Sequence, residues 1–104
     1  MTSEKMELRS IGTVIATREL SLPDERKVIV RIGMPALFSE GRDYYCPFQI
    51  TGIGDERIRY IGGVDAVQAL LLTFKTIGVL LSVSDEAKAG FLTWLDVKDF
   101  GFPT

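Results

Sequence analysis

From Gly62 to Val83 the chain reads G-G-V-D-A-V-Q-A-L-L-L-T-F-K-T-I-G-V-L-L-S-V, its one stretch of sustained helical periodicity. Two glycines break the extended segment before it. Asp65 stands at the N-cap position and Gln68 follows three residues later, the spacing of a capping box. Val64, just ahead of the cap, is spaced to pack on Ala69 as a hydrophobic staple. The row Val67, Leu70, Phe74, Ile77, Leu81 recurs at helical intervals and is expected to face a sheet. The opposite row, Gln68, Leu72, Lys75, Val79, should meet water, yet half of it is apolar. A helix apolar on nearly every side is usually buried on more than one. Leu71, Leu72 and Val79 are therefore expected to be covered, which predicts a homodimer. The alternative cover is the C-terminal segment of the same chain.

Before this helix the pattern is extended. Ile11 to Leu22 is rich in β-branched residues and predicts a long strand. Arg18 interrupts its apolar row, so a bulge or a shifted register is expected there. Pro23-Asp24-Glu25-Arg26 predicts a turn. Lys27 to Ile32 alternates, with Val28, Val30 and Ile32 inward. Ala36 to Asp43 reads as a connecting loop. Tyr44 to Thr51 forms a third strand with Cys46, Phe48 and Ile50 on one face. Pro47, lacking an N–H, points that strand toward an edge or an irregularity. Arg57 to Ile61 is the fourth, with Arg57 and Arg59 opposing Ile58 and Tyr60. After the helix a polar connection, Ser84 to Gly90, leads to an aromatic strand or extended segment at Phe91–Leu95, and the closing aromatics Phe100 and Phe102 are placed to seal one end of the core.

The expected architecture is therefore α+β: a four-stranded, mostly antiparallel meander with one long helix on one face and a short aromatic C-terminal segment. A chain of 104 residues has room for one core. The division is a loosely held leader over residues 1–10 and a single domain over 11–104.

Two blocks in this pattern are distinctive: D-Y-Y-C-P-F-Q-I-T-G over Asp43–Gly52 and G-G-V-D-A-V-Q-A-L over Gly62–Leu70. With R-I-R-Y between them and G-F-P near the end, the chain resembles an uncharacterised family of small bacterial proteins over about Ile15 to Pro103. The resemblance implies an intact one-domain bacterial protein and carries no activity.

Composition removes several chemistries. There is no histidine, so neither a Ser-His or Cys-His nucleophile system nor an imidazole metal ligand exists within one chain. The net charge of −2 supplies no basic field for nucleic acid. The helix is interrupted by Thr73, Lys75 and Thr76, too polar for a membrane span. The N-terminus shows no apolar signal region. The single cysteine, Cys46, excludes an internal disulfide and suits a reducing cytoplasm. Its strand alternation predicts burial rather than reactivity.

The remaining motifs are structural. Gly52-Ile53-Gly54 is followed by a strand pattern, not by the helix that a dinucleotide site needs. The carboxylates Asp55, Glu56, Asp85, Glu86, Asp96 and Asp99 sit in turns, without the spacing of a metal cage. No catalytic residue, metal site or cofactor is expected. Asp65 and Gln68 are accounted for by capping. The candidate surface for a ligand or partner is the outer sheet face, where Arg31, Tyr45, Gln49, Arg57 and Arg59 are expected to form a cationic and aromatic patch. These features predict a non-enzymatic interaction module, of which an immunity protein and a small regulatory adaptor are two forms. The rival is a small-molecule binder or enzyme with a pocket between sheet and helix, lined by Tyr45, Cys46 or Arg59.

Overall fold

The chain is described by a computed structural model over residues 7–104; residues 1–6, the start of the expected leader, lie outside it. Five strands precede two helices: β1 Val14–Ser21, β2 Lys27–Gly33, β3 Ala36–Leu37, β4 Tyr44–Thr51, β5 Arg59–Gly63, α1 Ala66–Ser82 and α2 Asp85–Lys88. The sheet is antiparallel throughout. β2 and β3 lie along one edge of β4 and β5 along the other, so the expected four-strand meander is present with β3 added.

β3 falls in the stretch read as a loop. Pairing along that edge of β4 passes from Ile32–Phe48 in β2 to Ala36–Tyr45 in β3. The interruption coincides with Pro47, which has no N–H to offer. Pro47 therefore sits inside a central strand, at a break in its neighbour. The N-terminal segment closes over this break: a Cβ on Gly33 would fall 2.5 Å from the Ile11 carbonyl oxygen and 2.7 Å from the Pro47 ring.

The bulge in β1 is at Val14–Ala16, not at Arg18. Arg18 stays in register opposite Val30, on the face that carries Leu20 and Val28. Its charge is handled by the aromatic rings of Trp94 and Phe102. The β1–β2 turn has its central residues at positive φ, Asp24 at 64° and Glu25 at 61°, so Pro23 precedes the bend.

β5 runs to Gly63, two residues further than the breaker reading of Gly62-Gly63 allowed. The second glycine is needed because α1 returns directly over the strand. A Cβ there would lie 2.5 Å from the Ala69 nitrogen and 2.9 Å from its Cα. That close approach also rotates the helix from the expected row. The fully buried stripe is Ala69, Thr73, Ile77 and Leu81, while Val67 is 73% exposed. Only small side chains fit where the backbones nearly touch. Leu70, Phe74 and Leu80 flank the stripe and are partly buried. The Thr73 hydroxyl is satisfied within the helix, donating to the Ala69 carbonyl at 2.7 Å.

Asp65 caps α1, its Oδ1 accepting from the Gln68 N–H at 2.8 Å. Gln68 reaches back one residue beyond the cap, accepting from the Val64 N–H at 2.7 Å. Asp65→Ala leaves a first-turn donor unpaired and should lower stability by about 0.5–2 kcal/mol. A urea titration followed by circular dichroism measures it; an unshifted midpoint would mean water caps the helix equally well.

Beyond α1, the polar connection contains the short helix α2, capped by Ser84, whose Oγ accepts from the Ala87 N–H at 3.1 Å. The aromatic segment forms no strand. It makes one bridge to the sheet, Ser21 to Thr93, with backbone bonds of 2.8 and 3.0 Å. A tight turn then joins Trp94 to Val97, with Leu95 at φ 52° and Asp96 at φ 67°. A leucine in the left-handed region carries roughly 1–2 kcal/mol of strain. Phe100 is buried and Phe102 packs against the core, so the closing aromatics do seal one end.

Candidate interaction surface

Three of the five expected sheet-face residues come together. Register puts Arg31 opposite both Thr17 and Gln49, and Gln49 and Tyr45 share the face turned away from α1. Arg31 donates to the Thr51 hydroxyl at 3.2 Å, and the Gln49 amide donates to the Glu56 carbonyl at 2.8 Å. Arg57 lies in the β4–β5 turn, paired with Asp55 at 3.4 Å. Arg59 stands opposite Phe48 and so belongs to the helix-side face. The alternation in β5 is the reverse of that expected, because Gly63 must face Ala69. Tyr60 consequently turns outward.

Sequence reasoning missed the aromatic cluster this creates. Tyr45 lies 5.1 Å from Phe38 and 6.0 Å from Tyr60, ring centre to ring centre. Beside it, Leu8, Ser10 to Thr13 and Met34 to Ala36 line a groove of about 230 Å³ with Tyr45 and Pro47. Leu8 and Ser10, from the stretch expected as a leader, line this groove.

Cys46 is fully buried on the helix-side face. Burial pushes its thiol above the ordinary range, an effect that the nearby Thr73 hydroxyl partly offsets. Such a thiol is a poor nucleophile. It lines neither the groove beside Tyr45 nor the one between α1 and the C-terminal tail. Among the described residues no group of three or more His, Cys, Asp or Glu is placed to hold a metal ion. No described helix is long and apolar enough to cross a membrane.

The outer side of α1 is the larger feature. Val67, Leu71, Val79 and Val83 follow one another at multiples of four residues and are exposed, as is Leu72. The one charge in the 17-residue helix, Lys75, lies in the middle of this stripe. The C-terminal tail crosses α1 on one flank, where a Cβ on Gly78 would meet the Phe102 Cβ at 3.1 Å. It leaves the stripe bare: Val79 is still 60% exposed. Between helix and tail runs a groove of about 430 Å³, lined by Val79, Val83, Phe102 and Pro103 among others.

The tail is held by Arg18. Its guanidinium lies 3.9 Å from the Trp94 ring centre and 4.8 Å from that of Phe102. It also donates to the Phe100 carbonyl at 2.9 Å. Gly101, at φ 77°, lets the chain pass: a Cβ would lie 2.4 Å from the Trp94 ring. An arginine between two rings is stabilised by their negative faces without a carboxylate.

No curated protein and no solved structure matches the chain. A family model does, over residues 16–104, from the bulge of β1 through the tail that Arg18 holds. On that coverage the chain belongs to the family DUF6968, a domain of unknown function.

Proposed function

We propose that this chain is a non-enzymatic protein-interaction module, a bacterial cytoplasmic homodimer that docks through the outer face of α1. An immunity protein and a small adaptor are two roles such a module fills. The observation that carries the reading is the stripe Val67, Leu71, Leu72, Val79 and Val83, exposed on a helix with one charge. The tail, the other candidate cover, already packs at Gly78 through Phe102 and still leaves Val79 and Val83 exposed. Apolar surface of this kind gains about 25 cal/mol per Å² when a partner removes it from water, and contiguous exposed apolar patches mark interaction sites. The burial of Cys46 and the position of both grooves outside the sheet–helix seam weigh against the enzyme reading.

Leu72→Glu puts a carboxylate into the proposed contact. It should convert a dimer to a monomer in light scattering, while the circular dichroism stays as in the parent. A parent chain that is monomeric at high concentration ends the homodimer reading.

A further inference from the structure

We propose that the two-fold axis of the homodimer lies at the C-terminal end of α1, and that Leu95 of each copy inserts into the groove between α1 and the tail of the other. This rests on the homodimer reading above and fixes where its axis falls. Three observations lead to it. Leu95 occupies a turn position at φ 52°, where glycine would be unstrained, and is 75% exposed. A monomer recovers neither the strain nor the lost burial, and strain of this kind persists where it serves a contact. The groove that would receive the leucine presents Val79, Val83, Phe102 and Pro103, and its wall includes Lys98, three residues along the chain from Leu95. Knob and hole are therefore neighbours. That is the arrangement in which a two-fold passing between them satisfies both at once.

Charge supplies the third. Lys98 and Asp99 stand side by side on the groove wall. Neither makes an ion pair among the described residues, whose two salt bridges are Lys27–Glu19 and Arg57–Asp55. Among the described residues the Asp99 carboxylate accepts from the Gly101 N–H, at 2.9 Å. An axis beside them sets each Lys98 against the other copy's Asp99, giving two reciprocal pairs. Pairing the helices at their midpoints would instead oppose the two Lys75 ammonium groups. An ordinary interface of about 800 Å² per partner, centred here, still reaches Leu72.

The test compares parent, Leu72→Glu, Leu95→Gly and a charge exchange by sedimentation equilibrium. Leu95→Gly relaxes the backbone, so the midpoint of urea unfolding should hold or rise, yet the dimer dissociation constant should weaken at least tenfold. Lys98→Glu should weaken the dimer similarly, and Lys98→Glu with Asp99→Lys in the same chain should restore it. A monomeric parent defeats the homodimer reading and this one together. If the parent is dimeric and Leu72→Glu dissociates it, but Leu95→Gly has the parental mass, the homodimer stands and this placement of the axis is overturned. Failure of the double charge exchange to restore the dimer overturns it as well.

Discussion

Phe48→Ala should come close to unfolding the domain. The side chain is 1% exposed at the centre of β4, between Ile32 on one neighbouring strand and Arg59 on the other. Truncating a buried phenylalanine loses its transfer energy and leaves a cavity that rigid neighbours fill only in part, about 3–5 kcal/mol together. Domains of this size have roughly 5–15 kcal/mol in all. With a urea slope of about 1–3 kcal/mol per molar, the midpoint should fall by about 2 M. A shift under about 0.5 M would mean that α1 settles onto the sheet to fill the gap, contrary to the backbone contact at Gly63 and Ala69 that holds it at a fixed height.

Arg18→Ala is the next largest expected effect, and it acts on the tail rather than the sheet. A ring-stacked, partly desolvated guanidinium contributes about 0.5–2 kcal/mol. Its hydrogen bond to the Phe100 carbonyl adds about 1.5–3 kcal/mol. Allowing for overlap, the loss should be about 2–4 kcal/mol in urea unfolding. Limited proteolysis should then cut within residues 96–104 first, since Arg18 is their main tie to β1. Arg18→Lys keeps the charge and loses the planar stack, so it should recover less than half of the stability. Full recovery with lysine would show that charge alone matters and that the stacking does not.

What the sequence made legible was whatever depended on local spacing. The Asp65 cap, the β1–β2 hairpin, the inward run Cys46, Phe48, Ile50 and the single long helix all follow from period and turn chemistry. What it hid depended on how closely backbones approach. The approach of Gly63 to Ala69 rotated the helix, exposed Val67 and reversed the faces of Arg59 and Tyr60. No periodicity encodes that distance, although two adjacent glycines just before a helix were a signal of it. Arg18 is the other case. A charge in an apolar row reads as a break in register, and only aromatic rings arriving from far along the chain give this half-buried guanidinium a place there. The candidate patch on the sheet was split for the same reason, while the apolar outer side of α1 was visible from composition alone.

The hydrogen bond from Arg18 to Phe100 joins positions 82 residues apart. Hairpins and helix assemble from near neighbours, whereas closing so long a loop is entropically slow. The only tryptophan in the chain sits in that seam. Its emission after rapid dilution from denaturant should therefore trail the far-ultraviolet signal, timing the moment at which the two ends of the polypeptide meet.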